Sequence, residues 1–329
     1  MSWRRWLSIL LALSCAIALC SCNPTLSQAN AQEGSLVIST LSDPKTFNPA
    51  LSQEENIFFS LGFEGLITTN GVTGEIEPAL AESWEISDNN QRIVFTLREG
   101  LKWSDGKPLT VDDVIFTYND IYLNKEIPTD ARDILRIGEQ GLLPKVRKLD
   151  ERRVEFTTPE PFAPFLRNTG LAILPAHVLR ESVKRKDQQG EPEFLTTWGA
   201  NTDPDKIVTN GPYQLERYLT SQRVIYKRNP YYWRNGPQGK PQPYIDRIIS
   251  QIVESTDTAF IQFRSGSLDL ISVSPDYFSL LKREEEKGNF TIYTGGPTLS
   301  SSFLTFNLNK GSRNGKPLVD PIKSRWFNT

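Results

Sequence analysis

Apolar positions recur with two different periods along the chain, and the elements they predict are interleaved irregularly. Leu36-Val37-Ile38-Ser39-Thr40 is a β-rich run suited to a buried strand. Over residues 54–67, Ile57, Phe58, Leu61 and Leu66 fall at helical spacing, with Gly62 and Gly65 weakening the last turn. Residues 92–98 alternate, placing Ile93, Phe95 and Leu97 on one face of a half-buried strand. Thr110 caps a helix whose buried stripe is Val114, Ile115, Tyr118 and Ile121. A hairpin pairs 146–149 with 154–157, and Pro175 opens another short helix. A longer ribbon joins 213–218 to 224–227 through a Thr220-Ser221 turn. Residues 245–253 predict a strand, and 256–263 a helix capped by Ser255 or Thr256. Residues 268–273, 290–293 and 303–307 read as strands, whereas 182–206 reads as a polar surface excursion. This order predicts mixed α/β sheets, not a purely parallel doubly wound sheet.

The first 34 residues follow a different pattern. Arg4 and Arg5 precede 13 uncharged, mostly apolar residues, Leu7 to Leu19. As a helix these would be about 20 Å long, short of the ~30 Å hydrocarbon core. They read as the apolar part of a secretory signal over residues 1–21. Leu19-Cys20-Ser21-Cys22 resembles a bacterial lipobox with Cys22 as the lipidated residue, although Cys20 is less usual there than a small residue. Cleavage after Ala31 is the rival reading. Residues 22–34 are small and polar, as a tether would be.

Composition narrows the function classes. With 37 basic and 39 acidic residues the net charge is −2, and loss of Arg4 and Arg5 with the signal makes it (37 − 2) − 39 = −4. Neither value favours phosphate backbones, so no nucleic-acid partner is expected. Cys15, Cys20 and Cys22 are the only cysteines and His177 the only histidine. The chain beyond residue 22 forms no internal disulfide, and a His/Cys zinc site is excluded. His177, beside Pro175 at a helix start, suits packing or capping better than catalysis. No nucleophile elbow or glycine-rich phosphate loop occurs. Asp112-Asp113 suits a helix cap, Glu54-Glu55 a helix start, and Glu284-Glu285-Glu286 a solvated helical face. A catalytic site, a cofactor and a metal are therefore not expected.

Three stretches together resemble the extracellular solute-binding lipoproteins of ABC importers, the family of oligopeptide-, dipeptide- and nickel-binding proteins. The first runs from Pro78-Ala-Leu-Ala-Glu-Ser-Trp84 through Gly100-Leu-Lys-Trp-Ser-Asp-Gly106 to Leu109-Thr-Val-Asp-Asp-Val114. The second is Ile173-Leu-Pro-Ala-His-Val-Leu179. The third is Asn210-Gly-Pro-Tyr213 with Asn229-Pro-Tyr-Tyr-Trp233.

The resemblance implies a type II periplasmic-binding-protein clamshell whose second lobe is largely missing here. The first lobe would be 35–68 and 190–303, with 69–189 an inserted subdomain and 304–329 the start of the second lobe. The family holds its ligand between the lobes, so an isolated first lobe should bind weakly. The implied role is capture of di- or oligopeptides outside the cytoplasmic membrane and delivery to a permease, by an exported, lipid-anchored monomer. Expected ligand contacts are Ser52, Gln53 and Glu54 before the first helix, and Ser300, Ser301, Ser302 and Phe303 further on. An exported carboxylate-dependent hydrolase such as a glycosidase, or an envelope protein that binds other proteins, are the alternatives.

Overall fold

A computed structural model describes residues 34–54, 56–294 and 304, with the backbone of 312–313 and 316–317. The chain divides into two compact units, Met1–Thr291 and Ile292–Thr329. In the second unit a short antiparallel pair joins Ser312–Arg313 to Lys316–Pro317.

The first unit contains two four-stranded sheets. One is built from β1 (Ser35–Thr40), β8 (Tyr213–Leu219), β9 (Arg223–Arg228) and β10 (Arg247–Ile252), in the order β1-β10-β9-β8. β1 runs parallel to β10, whereas the ribbon β8–β9 is antiparallel. The other consists of β4 (Ala81–Ser87), β5 (Arg92–Leu97), β6 (Lys145–Lys148) and β7 (Arg153–Thr157), antiparallel throughout in the order β4-β5-β7-β6. A small hairpin of β2 (Ile67–Thr69) and β3 (Ile76–Pro78) lies between them in sequence.

One continuous apolar core serves both sheets. Phe47 packs edge-on against Phe58 at 5.4 Å, and Phe58 stacks on Tyr226 at 5.7 Å. In the second sheet Phe95 meets Phe156 at 5.5 Å, and Tyr118 meets Phe156 at 4.7 Å. Tyr118 comes from a helix that begins as α2 (Val111–Ile115) and widens to π turns over Phe116–Tyr122. That widening buries Phe116, Thr117 and Tyr122 beside the expected stripe.

Several expectations need correction. The first helix, α1, spans Ile57–Gly62, with Asn56 as its cap, so Leu66 is buried beyond the helix. A Cβ on Gly65 would sit 2.4 Å from the Gly170 carbonyl, so the chain leaves the helix where two backbones touch. Residues 182–206 are no simple surface excursion, because Phe194 and Trp198 are buried. Trp198 has φ of 60°, yet its carbonyl accepts the Phe47 N–H at 2.8 Å and its indole donates to the Lys206 carbonyl at 3.0 Å. Those bonds and the packing on Phe63 at 5.9 Å hold the strained backbone.

Residues 268–273 form no strand. The Asp269 N–H donates to the Val37 carbonyl at 2.8 Å and its carboxylate accepts the Val37 N–H at 2.7 Å, so a side chain closes the edge of β1. Residues 290–293 are not a strand either; Phe290 packs against Phe263 at 5.1 Å while Tyr293 is exposed. The helix Thr256–Arg264 is capped by Ser255, as expected, through the Thr258 N–H at 3.1 Å. Pro275–Glu284 is a ten-residue helix, of which the expectation covered only the charged end as a solvated helical face.

Candidate functional site

The motif residues build a scaffold first. Trp103 and Lys107 close the Asp105-Gly106 turn through a 2.9 Å backbone bond, with Gly106 at φ 83°. Asp113 is buried, and its carboxylate accepts the N–H groups of Thr110 and Ala176, each at 2.9 Å, and the Trp103 indole at 3.4 Å. Burial outweighs these donors and raises its pKa. Asp113 thus fastens the start of α2 to the helix Ala176–Lys184. The His177 Nε2 meets the Asp105 carboxylate at 2.8 Å on the outer side of that junction. Burial raises Asp105, but hydrogen bonds from the Lys107 amide and from His177 hold its pKa below the ordinary value.

The wide helix then grips the segment leading to Pro175. Tyr118 donates to the Thr169 carbonyl at 3.3 Å, Tyr122 to the Ala172 carbonyl, and the Leu174 N–H donates to Thr117 at 2.9 Å. On the segment's other side the Ile173 N–H reaches the Glu64 carbonyl at 3.0 Å. Glu64 is fixed in turn by the third motif. Both Asn210 and Gly211 donate backbone N–H to the Gly62 carbonyl, and the Asn210 side chain brackets Glu64 N–H and C=O. The Glu64 carboxylate accepts the Tyr232 hydroxyl and the Trp233 indole, the latter at 2.7 Å. Burial first, then the Glu64 charge, pushes the Tyr232 phenol far up.

Between α1, β2 and the short helix Phe165–Asn168 this scaffold leaves an open cavity of about 410 Å³. Ser60, Glu64, Thr68, Thr69, Arg167 and Asn168 supply its polar lining. Phe63, Ile67, Ile134 and Leu171 supply apolar walls. The Asn168 amide donates to the Ile134 carbonyl at 2.6 Å, and among the described residues its side-chain oxygen and second N–H have no other partner.

The residues expected to touch a ligand fare differently. Ser52 caps its own turn by accepting the Glu54 N–H at 3.2 Å, Gln53 is exposed, and Glu54 is paired with Lys45. None of the three lines this cavity. Ser300, Ser301, Ser302, Phe303 and the expected strand at 303–307 lie outside the described residues apart from Leu304, as does Cys22. The cavity residues went unforeseen because they are single or paired polar positions spread over α1, β2, the helix Phe165–Asn168 and the connection at Glu64. Arg167, in a run of uncharged residues from Pro161 to Ala176, was the one available signal.

Comparison with known proteins gives this scaffold a lineage. Residues 75–325 match the bacterial extracellular solute-binding proteins, family 5 (middle part). The chain belongs to that family. A probable ABC transporter-binding protein of Deinococcus radiodurans is 34% identical over 294 residues, covering 87% of this chain and 48% of the relative. The dipeptide-binding protein of Escherichia coli is 28% identical over 313 residues, covering 90% and 54%. The chain therefore spans about half the length of the curated relatives it matches. Among solved structures, the oligopeptide-binding protein AppA of Bacillus subtilis, in complex with a nonapeptide, superposes with a TM-score of 0.62. It is 22% identical, over 76% of this chain and 46% of that one. The fold of the family 5 chain is that of type II periplasmic binding proteins. Among its described residues no helix is long and apolar enough to cross a membrane.

Proposed function

We propose that this chain is the solute-capturing part of an ABC import system and that its solute is a di- or oligopeptide. The observation that carries the reading is the open cavity of about 410 Å³ beside α1, in a chain of the solute-binding family. Its lining mixes hydroxyl, amide and guanidinium groups with apolar walls, which suits a peptide held through its backbone with room for side chains. Capture outside the cytoplasmic membrane, anchoring through Cys22 and hand-over of peptide to a permease belong to the same proposal. So do the division into a first lobe (35–68 and 190–303) with an inserted subdomain (69–189), and the ligand contacts at Ser52, Gln53, Glu54, Ser300, Ser301, Ser302 and Phe303.

Amide chemical shifts test the reading even where binding is weak. Titrating the chain with millimolar tri-alanine should move the amides of Ser60, Thr68, Asn168 and Leu171. It should leave the hairpin tip at Asp150–Arg153 in place. Shifts absent from the cavity, or spread evenly over the surface, would sink the peptide assignment.

A further inference from the structure

We propose that Arg167 makes this cavity a subsite for an anionic group of the solute, a carboxylate carried by an acidic side chain. The inference rests on the peptide reading above and specifies which peptides the cavity prefers.

Two charged residues line the cavity, Glu64 and Arg167, and they are in opposite states. Glu64 is spent on the framework. Each of its oxygens accepts a hydrogen bond, from Tyr232 and from Trp233. The guanidinium groups of Arg98 and Arg234 lie over the Trp233 ring, at 4.1 and 5.0 Å from its centre, and bring positive charge to that side. Glu64 therefore offers little repulsion to an incoming anion.

Arg167 is uncompensated. Among the described residues it forms no ion pair with a carboxylate. Its guanidinium donates to two neutral acceptors, the Thr69 hydroxyl at 2.8 Å and the Gly74 carbonyl at 3.1 Å. These bonds fix the group against the β2–β3 hairpin while using two of its five N–H donors. Three donors on a preoriented cation remain, the arrangement that receives a planar carboxylate in a forked pair. The neighbouring Asn168 amide and Thr68 hydroxyl extend the same donor set along the wall.

Two capped tripeptides, acetyl-Ala-Glu-Ala-amide and acetyl-Ala-Gln-Ala-amide, differ only in the anionic group and so isolate this interaction. Titrated by heteronuclear NMR at low salt, the wild-type chain should bind the Glu peptide roughly tenfold more tightly, with the Arg167 Nε resonance shifting. Arg167→Gln should abolish the preference, the two peptides then binding with equal affinity. Arg167→Lys should retain part of it. Equal binding of both peptides by the wild type, or a preference that survives Arg167→Gln, overturns the proposal. Failure of both peptides to shift any cavity amide overturns the peptide reading itself, a result distinguishable from loss of selectivity alone.

Discussion

At the scale of single residues, Asp113 shows how a family signature can be structural. Its carboxylate accepts N–H groups from three places in the chain and the Thr110 hydroxyl besides, so every partner is a donor. Asparagine would present one oxygen and an amide that faces donors. Asp113→Asn should therefore lower stability by about 2 kcal/mol, read as a shifted urea midpoint with an unchanged slope. Gly65 illustrates a different constraint. Adding a methyl there forces apart two backbones that frame the cavity, because the obstacle is the Gly170 carbonyl and not a movable side chain. Gly65→Ala should cost about 1–3 kcal/mol and broaden the amide resonances of Gly170 and Leu171.

At the scale of elements, the β4–β7 sheet carries a buried acid with two arginines. Glu155 sits on β7, nearly inaccessible, paired with Arg147 from β6 and Arg92 from β5. The hydrogen bond from Arg147, joined by Arg92, holds its pKa below the ordinary value against the opposing effect of burial. A depressed carboxyl stabilises the fold above its unfolded value, near pH 4.5, and that contribution fades as pH falls through the lowered folded value. Glu155→Gln should lower the melting temperature at pH 7 and flatten the loss of stability between about pH 5 and pH 3, as thermal scans across pH would record.

The elements also show what a sequence conveys. Strands with alternating or continuous apolar runs, β1, β5, β9 and β10, were legible because burial imposes period and composition together. β4 was not, since only Ala81 of its seven residues is fully buried and an irregular register follows it. Residues 268–273 misled in the other direction. They are apolar because Leu268 packs with Val37, Val253 and Ala259 in a satellite cluster, not because they pair as a strand. The scaffold of the candidate site was readable in its Asn-Gly-Pro and Asn-Pro-Tyr-Tyr-Trp motifs, whereas the cavity it encloses depends on long-range folding. Nothing local tells Ser60, Thr69 and Arg167 that they share a wall.

At the scale of the whole molecule, the first unit closes on itself through contacts made by Trp198. Trp198→Ala would empty the space beside Phe63 and leave the Lys206 carbonyl without its indole donor, at a cost of about 3–5 kcal/mol, read as a lowered urea midpoint. A chain ending at Thr291 retains both sheets and the continuous core. It should unfold in one cooperative transition with the urea midpoint of the full chain, and two separated transitions would show that the two sheets are independently stable.

The partnership of β1 has a consequence in time. Ser35 meets Arg247, and the Val37 amide meets Asp269, 232 residues further on. The Thr46 hydroxyl likewise binds Trp198, 152 residues away. During synthesis the first strand emerges early and has no edge to join until most of the unit has been made. The β4–β7 sheet, whose strands all fall within residues 81–157, can assemble meanwhile. β1 is thus made first among the strands of its sheet and secured only when the last is finished, and for that interval an apolar segment must be kept from other partners.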